Sequence, residues 1–458
     1  MDTVRILQPH VNIGDPHVTS DDADRLSILG NVFEPLLRVS EGGAFTPCVA
    51  ESWSLSEDAC SWAFAIKEDK VFHDGKPCRA ADVVFSLRRI RDENIAGELG
   101  TGGVIKGYLE GADIEHDGAL SVRIRTPEPM ADLADLLGDI PILSERSVAA
   151  LPDDFIGTGS FRIRESSEDR VVLSSDEKLL IWNAEPDDDA RIEAVRKGEA
   201  DVASNLPPRL SSGSAGRVHR STTSVCAAFM FNMIEGEATN RHLRRALNLA
   251  IDVDELIQDV MYGAADPLNG PLTRRHAGYD SSVPTWSYDP DAAIAELKAG
   301  GIGDGTLITL DIPAVLPDEA PQLAERIAEF LEAVGLRTEV RIESDRTNYA
   351  LRVREKRIGE AACFDSSPSS TFRVYREKFH SGFAGPWWLG YRNVSFDQLV
   401  DEGRKTPDPK NRTALYRQAY SLLREDAPWV FLYNPLRLAA IGNQLEHWNP
   451  SSGGLLLF

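Results

Sequence analysis

At 458 residues the chain is longer than a single hydrophobic core usually supports, so it should divide into two or three domains. Its formal charge is −23, from 49 Lys+Arg against 72 Asp+Glu, and such like-charge repulsion argues against nucleic acid or an anionic membrane surface as partner. Hydrophobic content of 42% and charged content of 26% are those of an ordinary globular protein, and no run of about 18 apolar residues offers a helical membrane span.

Strand and helix signals alternate along the chain. Val4-Arg5-Ile6-Leu7 predicts a first strand, followed by the turn Asn12-Ile13-Gly14-Asp15-Pro16-His17 and a helix over 21–29. A strand over 62–66 precedes Phe72-His73-Asp74-Gly75-Lys76-Pro77, where Asp74-Gly75 marks a tight turn. A helix over 80–91 follows. Asp82 complements its positive end, and Val83, Leu87 and Ile90 recur on one face. Strands are expected over 121–124, 160–163, 171–174 and 227–231, with helices over 190–197, 241–250 and 253–262. Asp289-Pro290 reads as an N-cap plus a proline at the first helical position of 290–299, which Gly300-Gly301 ends. The remaining elements are strands over 307–312, 338–342 and 429–433, and helices over 319–334 (stopped by Gly335), 393–404 and 410–423. Ser211-Ser212-Gly213-Ser214 reads as a short flexible loop. The mixture predicts an α/β chain with mostly buried sheets.

The stretch from Phe72 to Ser86 resembles the "F-H-D-G-x-P-x-x-A-x-D-V-x-x-S" signature of family 5 extracellular solute-binding proteins, the peptide, opine and nickel-chelate receptors of ABC importers. Further phrases occur in the family's order. Asn31-Val32-Phe33-Glu34-Pro35-Leu36-Leu37 is similar to "v-x-E-x-L", and Pro47-Cys48-Val49-Ala50-Glu51-Ser52-Trp53 to "P-x-L-A-x-S-W". Gly157-Thr158-Gly159-Ser160-Phe161 is similar to "G-T-G-P-Y", with Ser160 in place of Pro. Asn232, the run Arg244 to Asp252, and Gly263 resemble "N…R-x-A-x-x-x-A-I-D…G". Thr406-Pro407-Asp408 to Arg412, with Asp426-Ala427-Pro428, resembles "T-x-D-x-x-x-R…D-x-P".

The resemblance implies a periplasmic binding protein-like class II fold, with two lobes, a hinge and a small inserted domain. Lobe I would take 1–38, 156–232 and 429–458, the inserted domain 39–155, and lobe II 233–428. The implied function is capture of a small polar solute, peptide-, opine- or chelate-like, by closure of the lobes. Its partners would be that small-molecule ligand and a membrane permease, with no nucleic acid, the receptor itself being a monomer. The alternative is a cytoplasmic ligand-sensing module of the same fold, although no basic segment could serve as its DNA-binding helix. Met1-Asp2-Thr3 shows neither a basic n-region nor an apolar h-region, whereas the family carries a secretory signal. Periplasmic localisation with the signal removed is therefore preferred to a cytoplasmic one.

In the family a loop after a lobe II strand, commonly "W-x-x-D-Y", walls the pocket and supplies a carboxylate. Here the corresponding stretch is Ala361-Ala362-Cys363-Phe364-Asp365-Ser366-Ser367-Pro368-Ser369-Ser370, with Phe364 in the aromatic role and Asp365 one residue later rather than three. That shift puts a peptide-amine clamp in doubt and favours a hydroxylated or carboxylated ligand. The alternative is that Asp365 to Ser370 cap the next helix. Gly385-Pro386-Trp387-Trp388-Leu389-Gly390-Tyr391-Arg392 suits an aromatic pocket wall, and Arg373 and Arg392 could pair with a carboxylate or phosphate. The expected ligand-binding residues are thus Asn12, His17, Phe364, Asp365, Ser366, Arg373, Trp387, Trp388, Tyr391 and Arg392. Within the same resemblance, a Cys226–Cys363 bridge near the hinge is one expectation and two buried free thiols the other.

Catalysis is not expected: no P-loop, H-E-x-x-H or G-x-S-x-G is present. Neither cofactor nor metal is expected, since the nine His show no pair at i, i+3 or i+4.

Overall fold

Asp2–Gln8 alternates exposed and buried positions, so that Val4, Ile6 and Gln8 point inward, the period-2 signature of a strand with one covered face. In this computed structural model, which describes residues 2–18, 22–93, 95, 97, 104–211, 217–315 and 317–458, the chain forms two compact units. The first comprises 1–221 and 437–458, the second 222–436. The start of the 21–29 helix at Asp21 and the loop residues Ser212 to Ser214 lie outside the described residues.

In the first unit Asp2–Gln8 pairs in parallel with both Lys178–Ala184 and Val202–Leu206. Arg170–Ser174 and Arg162–Ser166 continue one side as antiparallel strands, and Leu438 to Ile441 of the strand Trp429–Ile441 pairs with Val202–Leu206 on the other. Helix Ala23–Val32 covers this sheet, with Ile28 and Val32 packed among Ile6, Leu173, Leu180, Trp182 and Leu456. The C-terminus is fastened to the same helix. Asn31 Nδ2 donates to Leu456 O at 2.8 Å, Phe458 N to Asn31 Oδ1 at 2.8 Å, and Leu456 N to Ser27 Oγ at 3.1 Å.

Within 39–155 the strands Ala50–Leu55, Ser61–Ile66, Ser121–Arg125 and Asp113–His116 form a separate four-stranded antiparallel sheet in that order. Helix Ala80–Asp92 packs on it through Val83, Leu87 and Ile90, the face predicted from spacing. Arg79 N donates to Asp82 Oδ2 at 2.8 Å, so Asp82 caps the helix it opens.

The signature turn is tied to the G-T-G-S phrase. His73 N donates to Gly157 O at 2.9 Å, and Gly157 N donates to His73 Nδ1 at 3.2 Å. With Nδ1 an acceptor, Nε2 carries the proton and donates to Gly159 O at 2.9 Å. Gly159 N in turn donates to Val32 O at 2.9 Å. An added Cβ would lie 1.9 Å from Val32 O at Gly157 and 2.3 Å from Asn31 O at Gly159, so both glycines are required by close backbone approach. These family phrases describe a structural lock.

The second unit has strands in the order Arg337–Glu343, Leu307–Pro313, Ala361–Ser366, Cys226–Phe231, then residues 429–433 of Trp429–Ile441, with Ala265–Pro267 on the same strand's continuation. Helices Arg241–Ala250 and Ala320–Ala333 bury Leu243, Leu247, Leu323, Ile327 and Leu331 against Phe229, Phe231, Ile308, Leu310 and Cys363. Cys226–Phe231 and residues 429–433, assigned to lobe I from the sequence, pair instead with strands of the second unit.

The Cys226–Cys363 bridge is corrected: all five cysteines are free. In the antiparallel register Cys226 faces Ser366 while Cys363 faces Phe229. The odd offset between Cys226 and Phe229 puts the two thiols on opposite faces of the sheet, and no rotamer brings them together.

Candidate functional site

The candidate site lies in the second unit, at the C-terminal end of Ala361–Ser366. This strand is parallel to Leu307–Pro313 and antiparallel to Cys226–Phe231, and its backbone is further fixed by Tyr349, whose hydroxyl donates to Cys363 O at 2.6 Å. Alternation places Cys363 and Asp365 on one face and Phe364 and Ser366 on the other.

On the Phe364 face, the Phe364 and Trp387 rings meet at 4.8 Å between centroids, tilted by 41°. Lys378, buried in the last turn of helix Thr371–Lys378, holds its Nζ 5.4 Å from the Phe364 centroid and 5.8 Å from that of Trp387. The Arg346 guanidinium stands 5.5 Å from the Phe364 centroid. Two cations over two aromatic faces make a platform that attracts an anionic group while burying apolar surface.

Asp365 has a different environment. Its Oδ1 is shielded from solvent and has no hydrogen-bond partner. Burial, and then the neighbouring Glu319, push the Asp365 carboxyl up to about 8, against the pull of Arg346. Glu319 is itself raised, chiefly by burial, although Tyr433 donates its hydroxyl to Glu319 Oε1 at 3.3 Å. The Cys226 and Cys363 thiols near Asp365 are pushed up by burial and stay neutral. Two adjacent acids with one guanidinium leave room for one more positive charge.

The other expected residues are placed as follows. Ser366 is buried, and its Oγ has no hydrogen-bond partner. Arg373 is held by Glu377, Nε to Oε1 at 2.9 Å. Trp388 donates Nε1 to Tyr391 O at 2.7 Å and carries the exposed Arg392 over its ring at 5.2 Å. Tyr391 is buried beside Phe379 and Phe396 and donates its hydroxyl to Asp426 Oδ2 at 2.8 Å, so it is interior packing. Arg373 and Arg392 are thus committed to different partners and do not form a clamp.

In the first unit Asn12 is exposed, whereas His17 is buried. Its Nε2 lies 2.9 Å from Pro141 O, and its Nδ1 accepts from Arg89 at 3.0 Å. Burial lowers His17 to about 4, so the ring is neutral and both nitrogens are occupied.

Glu319, Arg346 and Lys378 were not anticipated. Arg346 and Glu319 open helices far from Asp365 in sequence, and only the sheet order brings them to it. Lys378 carried one signal, since it ends the helix that follows the Ser-rich loop.

An aromatic surface with a few convergent polar groups at strand ends is the kind of lining small-molecule binding proteins use. The sequence matches the bacterial extracellular solute-binding proteins, family 5 middle region, over residues 44–359. Di/tripeptide-binding protein 2 of Pseudomonas aeruginosa (strain UCBPP-PA14) is 25% identical over 446 residues, covering 86% of this chain and 82% of its own. The dipeptide-binding protein of Escherichia coli (strain K12) is 24% identical over 459 residues, covering 90% and 85%. Among solved structures, HbpA2 from Haemophilus parasuis superposes with a TM-score of 0.83 at 19% identity, covering 96% of each chain. The nickel ABC transporter protein from Bacillus halodurans gives 0.78 at 21% identity, covering 99% and 98%. The chain belongs to the family 5 bacterial extracellular solute-binding proteins, the substrate-binding receptors of ABC importers. No helix among the described residues is long and apolar enough to cross a membrane.

Proposed function

We propose that this receptor captures a small zwitterionic, peptide-like solute in the periplasm and delivers it to a membrane permease, without chemical change to the solute. The observation that carries the reading is the partnerless Oδ1 of Asp365 beside Glu319, with Arg346 reaching from that carboxyl to the ring of the preceding residue, Phe364, which Lys378 also faces. An ammonium group would complete the acidic side, and a carboxylate would meet the cationic one. The peptide-binding names of several relatives point the same way.

The geometry dictates a measurable signature. At pH 7 a carboxyl poised at about 8 is mostly protonated. An incoming ammonium stabilises the carboxylate and expels up to about one proton per ligand. Titration calorimetry with dipeptides, opines and nickel chelates, repeated in buffers of different ionisation enthalpy, tests this. Dipeptide binding with proton release supports the proposal. Binding confined to nickel chelates or to ligands lacking an amine would overturn it.

A further inference from the structure

We propose that the first unit carries a divalent-cation site formed by His10, Asp22 and Asp24. His10 follows strand Asp2–Gln8, while Asp22 caps helix Ala23–Val32 and Asp24 lies in its first turn, and the three side chains come together. Asp22 uses one oxygen as the cap, Oδ1 accepting from Asp24 N at 2.9 Å and Arg25 N at 3.2 Å. Its Oδ2 is turned to His10 Nε2 at 3.5 Å. Asp24 divides its oxygens in the same way. Oδ1 accepts from Asn205 Nδ2 at 2.7 Å and Ser204 Oγ at 3.3 Å, while Oδ2 lies 3.8 Å from His10 Nε2.

Asp24 has a side chain only 2% exposed, and its Oδ2 is shielded from solvent with no hydrogen-bond partner, yet it faces the His10 imidazole. A buried carboxylate oxygen left without a donor is costly, and a cation is what removes that cost. Three donor atoms lie within 4.8 Å of one another. Ligands bound at about 2.1 Å to a tetrahedral ion sit about 3.4 Å apart, close to the 3.5 and 3.8 Å between His10 Nε2 and the two carboxyl oxygens, which would themselves draw together around an ion. One imidazole and two carboxyl groups give an N/O donor set, which suits Zn²⁺ or Mn²⁺, with water completing the shell.

The surroundings hold the donors as outer-shell groups do. Fully buried Gln8 donates Nε2 to His10 O at 2.7 Å and to Asp24 O at 3.4 Å, and Asn205 and Ser204 orient Asp24. His10 is the accessible arm, with a side chain 52% exposed, through which an ion can enter. An ion here would staple both ends of the loop that carries Asn12 and His17.

The test is direct titration of tag-free, chelator-treated protein with Zn²⁺ and Mn²⁺ against a chromophoric competitor, without any transported solute. The expected result is one ion per chain, with affinity lower by about tenfold or more in His10→Ala and in Asp24→Asn. His10→Ala removes an exposed side chain, so it remains informative even where Asp24→Asn fails to fold. His116→Ala, an exposed histidine elsewhere, should titrate as the wild type. Absence of stoichiometric binding, or equal binding by wild type and His10→Ala, would overturn the proposal.

Discussion

Replacing Asp365 by Asn isolates the group on which the ligand proposal rests. In the unliganded protein its carboxyl is raised to about 8, first by burial and then by Glu319. In the unfolded chain it titrates near 3.8. Between those values the native state holds a proton that the unfolded state has lost, so stability falls as pH rises from about 4 to about 8, then levels. Each pH unit in that window is worth about 1.4 kcal/mol for one fully coupled proton, setting a ceiling near 6 kcal/mol across it. Asp365 is partly exposed, and relaxation and water entry leave a fraction of that. Asp365→Asn is therefore expected to match wild type near pH 4.5 and to exceed it by about 1–3 kcal/mol at pH 8. Urea unfolding at both pH values, followed by tryptophan fluorescence, measures the difference. Arg346, Tyr433 and the two neutral thiols sense the same carboxyl and are unchanged in the variant, so the pH-dependent part of the difference belongs to Asp365 and its neighbour Glu319. A wild-type-to-variant gap that is the same at both pH values would falsify the burial argument.

Trp387→Ala should weaken solute binding by about tenfold while leaving the unliganded melting temperature nearly unchanged, because the ring packs on the Phe364 platform rather than in the core; a matching loss of thermal stability would mark it as core. Tyr391→Phe should show the opposite pattern, costing about 1 kcal/mol of stability through the lost Asp426 bond with solute affinity retained, as read by melting and calorimetry together. Gly157→Ala drives a Cβ into Val32 O and should cost about 3 kcal/mol or more, detectable as poor soluble yield or a lowered melting temperature. Thiol titration under denaturation without reductant should count five reactive groups; three would restore a bridge.

The helices were legible where local rules govern them. Arg241–Ala250 and Pro290–Ala299 have the expected bounds because Asn240 and Asp289 cap them, and Ala80–Asp92 follows its apolar spacing. Lys178–Ala184 was missed although it is the neighbour of the first strand. Its mixed burial, with only Leu180 and Trp182 inside, gives a weak alternation. The resemblance pointed correctly to the family, yet its best phrase, with His73, proved to be a fastening and not a site. Phe364 and Asp365 could be singled out because they fall in the stretch that corresponds to the family's "W-x-x-D-Y". Glu319, Arg346 and Lys378 could not, since long-range sheet order, invisible to spacing, brings them together. The same holds for His10, which is distant in sequence from Asp22 and Asp24 and adjacent only through a loop.

The chain leaves the first unit at Ser221 and returns to it only at Arg437. The second unit is one uninterrupted stretch, whereas the first needs the final residues, with Leu456 in its core and Phe458 bonded to Asn31. A polypeptide emerging from its N-terminus can therefore finish the second unit while the earlier-made one still lacks an edge strand and part of its interior. The unit made first thus closes only once residues 437–458 have joined it, so its assembly lags that of the stretch made after it.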